Sequence, residues 1–122
     1  MAQVNDVVDA GEFAQSWIAE WNSRDLDAIM CHYAPDVVFH SPVAAEVVPR
    51  STGTVHGQAA LRAYWQAALE RNPRLRFELL DVFRSIDTLA IRYSTQDGTV
   101  RVEVLRFNDG LIAEGWGFLP AA

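Results

Sequence analysis

One acidic residue occupies a position where folding would alter its chemistry. Glu103 lies in a predicted strand, residues 99–107, whose alternation places it on the same face as Arg101 and Leu105. A carboxyl group on a largely apolar face is costly to leave charged, so burial would raise its pKa and make Glu103 a candidate acid or hydrogen-bond donor. The alternative is an ion pair with Arg101 or with Arg92 across the sheet, which would keep Glu103 charged and structural.

A histidine and a serine are adjacent at the end of another predicted strand. His40 and Ser41 should point to opposite faces of a regular strand, but strand ends twist, so His40 could reach a pocket mouth and act as a base. The alternative is a histidine at the surface or at an interface. The sequence gives no geometry that would join Ser41 to a histidine and a carboxylate in a triad. His32 and His56 share no ligand spacing with His40, so we predict no metal site.

The composition excludes several classes of function. A net charge of -6 without any basic run argues against nucleic acid as a partner, and the absence of lysine excludes Schiff-base and P-loop chemistry. No apolar run approaches the roughly 20 residues that span a bilayer, so we predict no membrane anchor. The single cysteine, Cys31, cannot form an intrachain disulfide, and no secretory leader pattern opens the chain. We therefore expect a cytoplasmic protein, and we predict no cofactor.

The first half of the chain has a helical period. A first helix is predicted over residues 6–22, and a second, capped by Asp25, carries Leu26 to Tyr33 before Pro35 ends it. Residues 37–41 form a predicted short strand, residues 42–57 a long loop, and residues 58–71 a third helix. The stripe that should face the core in the first helix is Val7, Ala10, Phe13, Ala14, Trp17, Ile18 and Trp21.

After Pro73 the period changes from helix to strand. The alternation that starts at Leu75 shifts phase between Leu79 and Leu80, which predicts a β-bulge. Glycine-containing links then join residues 88–95, 99–107 and 111–119 into an antiparallel meander. The predicted order is ααβα followed by ββββ, in one α+β domain that covers residues 1–122.

Both faces of residues 99–107 are largely apolar, since Val100, Val102 and Val104 lie opposite the face that carries Glu103. A strand with one face in solvent would alternate more regularly between apolar and polar residues. We therefore expect a second copy of the chain to cover the outer face, giving a homodimer. Gly115 and Gly117 should leave space beside a pocket on the inner face.

Several strings, in order, resemble the SnoaL-like and ketosteroid-isomerase-like proteins of the nuclear transport factor 2-like superfamily. They are Trp-Ile-Ala-Glu-Trp-Asn at 17–22, Tyr-Ala-Pro-Asp-Val-Val-Phe at 33–39, Ala-Leu-Arg at 60–62 and Glu-Val-Leu-Arg-Phe-Asn-Asp-Gly-Leu-Ile at 103–112. The resemblance implies a cone-shaped pocket between three N-terminal helices and a strongly bent, mostly antiparallel sheet, usually in a homodimer. It implies no fixed chemistry.

The resemblance also implies roles for positions in the pocket. The carboxylate base of the isomerases corresponds to Ser41, and their oxyanion-binding phenol corresponds to Trp17, with Tyr33 and Trp65 as its supports. Their protonated acid corresponds to Glu103. The usual base is therefore absent, and core packing is the alternative role for both tryptophans.

These observations predict a protein that binds a small apolar molecule. If it is an enzyme, it is an isomerase, cyclase or dehydratase that acts on a carbonyl or polyketide-like substrate, with Glu103 as acid and His40 or a bound water as base. The alternative is a non-catalytic domain that binds an apolar ligand, dimerises or contacts another protein. The ligand-binding residues predicted beside Glu103 and His40 are Trp17, Tyr33, Phe39, Ser41, Trp65, Arg101 and Leu105.

Overall fold

The computed structural model describes residues 10–121, and this part of the chain forms four helices and six strands. The helices precede the long antiparallel part of the sheet. They are α1 (Ala10–Asn22), α2 (Leu26–Met30), α3 (Pro42–Val47) and α4 (Gln58–Arg71). The strands are β1 (Tyr33–His40), β2 (Thr54–His56), β3 (Glu78–Arg84), β4 (Thr88–Ser94), β5 (Val100–Asn108) and β6 (Leu111–Phe118).

The six strands form one sheet in the order β2-β1-β6-β5-β4-β3. All neighbours are antiparallel except β1 and β6, which run parallel. The register shifts between Leu79 and Asp81 in β3 and between Arg106 and Phe107 in β5, and such bulges bend a sheet. The helices cover the concave face, so the α+β prediction and the predicted bulge are both confirmed.

The helix α1 presents the apolar stripe that its period predicts. Ala14, Trp17, Ile18 and Trp21 are buried against the sheet. The predicted first turn, including Val7, lies outside the described residues. The side chain of Asn22 then pairs with both backbone polar groups of Phe77, accepting from its N–H at 2.7 Å and donating to its carbonyl at 2.9 Å. This pairing ties the end of α1 to the segment that leads into β3.

The second helix is shorter than predicted. It ends at Met30, and Tyr33 and Pro35 belong to β1 instead. Tyr33 pairs with Ile112 of β6, and the ladder is irregular from there to Val38, so the missing N–H of Pro35 breaks no regular pairing. The apolar period that suggested helix up to Tyr33 is overridden by this long-range pairing.

The predicted loop over residues 42–57 contains two ordered elements. The Ser41 side chain accepts a hydrogen bond from the Val43 N–H at 3.2 Å and caps α3, with Pro42 in its first turn. The strand β2 then pairs with the edge of β1. The other boundaries follow the sequence more closely: α4 has its predicted bounds, whereas β3 begins at Glu78 rather than Leu75.

Across residues 10–121, no helix combines the length and the apolar character needed to cross a bilayer.

Candidate functional site

A cavity of about 90 Å³ lies between the helices and the concave face of the sheet. One water molecule occupies roughly 10–15 Å³ on this measure, so the space can hold several waters or a small organic group. Trp17 and Trp65 contribute to its wall without filling it, and Phe107 packs elsewhere, edge-on to Phe13. The buried aromatic part of the lining is Trp17, Trp21, Phe39, Tyr64, Trp65, Phe77 and Tyr93.

Glu103 is the buried acid of this cavity. It lies on the inner face of β5, where alternate residues are buried, and only 7% of its surface is exposed. The Tyr93 hydroxyl donates a hydrogen bond to its Oε1 at 3.2 Å. Burial raises the pKa of the Glu103 carboxyl to about 8, although the Tyr93 hydrogen bond and the Arg101 charge act in the opposite direction. At neutral pH the group is mostly protonated and can therefore donate a hydrogen bond.

The ion pair proposed as the alternative for Glu103 is not formed in the described part of the chain. Arg92 forms a bidentate pair with Asp81 instead, with both distances 2.9 Å. Arg101 lines the cavity but has no carboxylate within ion-pair distance among residues 10–121. The reason for the difference is register: Tyr93, rather than Arg92, shares the inner face with Glu103.

Ser41 lines the same cavity as Glu103. Its Oγ caps α3 and also lies 3.5 Å from the Tyr64 hydroxyl, which donates to it. Burial raises the pKa of Tyr64 to about 12, so this phenol is neutral at ordinary pH. A Cβ atom on Gly117 would lie 3.1 Å from Ser41 Oγ and 3.7 Å from Glu103 Oε1. Glycine at this position therefore keeps open the space between the serine and the acid.

Trp17 and Tyr33 form a buried pair in which Trp17 lines the cavity and Tyr33 lies behind it. The Trp17 indole N–H donates to the Tyr33 hydroxyl at 3.3 Å, and burial raises the pKa of Tyr33 well above its ordinary value. Trp65 packs edge-on against Tyr33, with ring centroids 4.9 Å apart. Trp17 and Trp65 line the cavity as predicted, yet the Trp17 N–H already has an acceptor, which favours the packing role considered for it.

His40 lies on the convex face of the sheet. Its Nε2 is 2.8 Å from Glu114 Oε2, its Nδ1 is 3.0 Å from Thr54 Oγ1, and its ring stacks on Trp116. The hydrogen bond with His40 holds the pKa of Glu114 below its ordinary value. The strand alternation therefore extends to the end of β1, and the twist that would have brought His40 to the Glu103 cavity does not occur.

Six of the nine predicted site residues line the cavity together. Tyr33 and Leu105 lie behind the wall in the core, and His40 faces away. Sequence reasoning missed Tyr93, the hydrogen-bond partner of Glu103. The alternation of β4 could have placed Tyr93 on the inner face with Leu89 and Ile91. The residues that line the cavity as predicted are Trp17, Phe39, Ser41, Trp65, Arg101 and Glu103.

No group of three or more histidine, cysteine, aspartate or glutamate side chains within residues 10–121 is arranged to hold a metal ion.

Comparisons with known proteins identify the family and the fold. The sequence profile of the SnoaL-like domain matches residues 14–115. A SnoaL-like protein of unknown function from Burkholderia thailandensis is 32% identical, with a TM-score of 0.85 over 92% of this chain and 94% of that one. No curated protein matches the sequence significantly.

Two solved Streptomyces proteins have the same cone-shaped α+β fold. AclR from Streptomyces galilaeus, a proposed hydroxylase, is 25% identical, with a TM-score of 0.68 over 90% of this chain and 87% of its own. IdmH from Streptomyces antibioticus, a proposed polyketide cyclase, is 21% identical, with a TM-score of 0.72 over 90% and 91%. The predicted fold is therefore confirmed.

Proposed function

The chain belongs to the SnoaL-like family, and on that basis we propose that it binds a small, largely apolar carbonyl compound and catalyses an acid–base reaction on it. The observation that carries the proposal is the buried Glu103 carboxyl in a cavity whose other walls are mainly aromatic. Burial raises the pKa of this carboxyl, which favours its protonated form. The proposed polyketide cyclase activity of IdmH supports a polyketide-like substrate.

In this proposal Glu103 acts on the carbonyl oxygen. Its O–H donates a hydrogen bond to that oxygen, which polarises the carbonyl group and stabilises the enol that forms when a proton leaves the adjacent carbon. A carboxyl with a pKa near neutrality is suited to give up and regain a proton during turnover. Isomerisation, cyclisation and dehydration can all proceed through such an enol.

The proton acceptor in the proposal is a water molecule that enters with the substrate. Ser41 stands where related isomerases carry a carboxylate base, and within residues 10–121 its hydroxyl is hydrogen-bonded to the Val43 N–H and the Tyr64 hydroxyl rather than to a base that could activate it. His40 is assigned no catalytic role because both of its ring nitrogens have partners on the convex face.

Enolisation can be tested without knowing the natural substrate. Cyclohexanone is incubated with the protein in D₂O, and loss of its α-proton signal is followed by proton NMR. We expect Glu103→Gln to lower the exchange rate about a hundredfold, since glutamine donates a hydrogen bond but no proton. Arg92→Gln, on the convex face of the neighbouring strand, serves as the control and should exchange at the wild-type rate. Unchanged exchange in Glu103→Gln would remove Glu103 from the mechanism.

A non-catalytic binding protein is the second candidate, because the family's usual base is replaced by Ser41. Trp17, Trp21 and Trp65 line the cavity, so a ligand that enters it should quench tryptophan fluorescence. Quenching by cyclohexanone without any α-proton exchange would favour this candidate over the enzyme.

We further propose that the protein acts as a cytoplasmic homodimer that joins through the convex face of the sheet. Phe83 and Phe118 are 59% and 51% exposed, and their cross-strand partners Ala90 and Val102 point outward as well. Exposed aromatic groups on one face are typical of protein interfaces. The single Cys31 suits a reducing compartment.

A further inference from the structure

Two buried nitrogen atoms in the cavity wall have no hydrogen-bond acceptor within residues 10–121. They are the indole Nε1 of Trp21 and the guanidinium Nε of Arg101, and both residues line the same cavity as Glu103. A buried N–H without an acceptor has lost its hydrogen bonds to water without replacement, so most such groups in folded proteins are paired. The presence of two unpaired N–H groups beside one cavity indicates that the cavity binds a ligand with hydrogen-bond acceptor atoms.

The charge in the cavity points to the same kind of ligand. Arg101 is the arginine that lines the cavity, and it has no carboxylate within ion-pair distance among residues 10–121. A guanidinium group carries a positive charge in proteins. Because Glu103 is mostly protonated near neutrality, it does not neutralise Arg101. The polar end of the cavity is therefore positive and rich in donors.

We propose that this end of the cavity binds a carboxylate, so that the carbonyl compound of the proposed function is also an acid with an apolar body. The Arg101 and Trp21 N–H groups donate to the carboxylate oxygens, and the apolar body contacts the aromatic wall. The identity of the ligand as a substrate rests on the proposed function, whereas carboxylate binding itself can be measured independently of turnover.

Benzoate and benzamide test this selectivity, since they share a shape and differ in charge. Their dissociation constants are measured by tryptophan fluorescence quenching at pH 6.5. We expect wild-type protein to bind benzoate about tenfold more tightly, because a charge-assisted hydrogen bond is stronger than a neutral one. Arg101→Gln should abolish this preference, and Arg92→Gln, the control, should retain it. Equal affinities in the wild type, or a preference that survives Arg101→Gln, would overturn the proposal.

A second measurement needs no change at Arg101, in case that variant fails to fold. The other ionisable groups that interact with Glu103 are Tyr33, Tyr64, Tyr93 and Arg101. Burial raises the pKa of all three tyrosines, so among these groups only Glu103 gains a negative charge between pH 7 and pH 9. Benzoate affinity should fall severalfold over this range in the wild type but stay level in Glu103→Gln. A fall that persists in Glu103→Gln would contradict carboxylate binding beside this acid.

The two proposals fail in different ways. Exchange of cyclohexanone protons that depends on Glu103, without a preference for benzoate, would overturn the carboxylate site and leave the proposed catalysis standing. A benzoate preference that depends on Arg101, without proton exchange, would support the carboxylate site and overturn the catalysis.

Discussion

The carboxyl group of Glu103 moves from water into an apolar cavity when the chain folds, so its protonation is coupled to stability. Burial raises its pKa from 4.5 to about 8, which means that between these values the folded state binds more protons than the unfolded chain. The stabilising effect of this proton is fully present below about pH 4.5 and is lost as the pH rises through 8. The protonation of Glu103 therefore makes both the charge in the cavity and the stability of the folded state depend on pH.

This linkage predicts how the free energy of unfolding depends on pH. Between pH 5 and pH 8 the wild type should lose up to about 1.4 kcal/mol per pH unit relative to Glu103→Gln, which cannot ionise at this position. Urea unfolding at a series of pH values measures both proteins. Parallel curves for the two would show that Glu103 has the same pKa in the folded and unfolded states.

The hydrogen bond from Tyr93 opposes the effect of burial, because it stabilises the charged carboxylate. Tyr93→Phe should therefore raise the pKa of Glu103 further, by up to about one pH unit for a hydrogen bond worth about 1 kcal/mol. A carbon-13 NMR titration of labelled glutamate measures it. Tyr64→Phe is the matched control, since that hydroxyl bonds to Ser41 instead. An equal rise in both variants would rule out a specific effect of Tyr93.

At the scale of elements, the strand β6 determines how closely the inner layer of side chains can pack. Gly115 lies opposite Phe39 of β1 in the parallel pair, and the Phe39 ring covers its backbone. A Cβ atom at Gly115 would come within 2.7 Å of Phe39 Cδ1 and 3.3 Å of Leu105 Cδ2. The position of the Phe39 ring over the backbone of β6 therefore depends on the missing side chain.

Gly115→Ala should destabilise the protein by about 1–3 kcal/mol, the usual cost of overpacking a buried site. Gly117→Ala is the matched comparison in the same strand. It should cost less, because its Cβ would come no closer than 3.1 Å to the Ser41 hydroxyl. Urea unfolding at pH 6 measures both changes. A Gly115→Ala protein as stable as the wild type would show that Phe39 can move aside freely.

At the scale of the whole molecule, the two faces of the sheet have different surroundings. The concave face and the helices enclose Glu103, whereas the convex face exposes apolar side chains between the charged groups of the Arg92–Asp81 and Arg106–Glu114 pairs. A partner copy on the convex face would bury those apolar groups without closing the cavity.

Size-exclusion chromatography with light scattering tests the dimer. The wild type should have twice the chain mass of 13.6 kDa at micromolar concentration. Val104→Glu should give a monomer, because Val104 lies between Ala90 and Trp116 near the centre of the convex face. Gln66→Glu places the same charge on an exposed position of α4 and should remain dimeric. A strictly monomeric wild type would contradict this assembly.

The helical and strand periods in the sequence predicted much of this architecture. The stripe on α1, the extent of α4 and the bulge beside Leu79 follow from the spacing of apolar residues, which is a local property. Tyr33 shows the limit of this reasoning. Its place in an apolar period suggested helix, but pairing with Ile112, far along the chain, makes it part of a strand.

For the site, the alternation of β5 grouped Glu103 with Arg101 and Leu105 on one face, and the resemblance to a known family suggested an acid of the pocket at this position. The partner of that acid required the tertiary structure. Whether Glu103 meets Arg92 or Tyr93 depends on the register of β4 against β5, and whether His40 joins it depends on the twist at the end of β1. These are contacts between residues that are distant in sequence. They depend on how the strands pair in the folded sheet, so the local sequence pattern could not predict them.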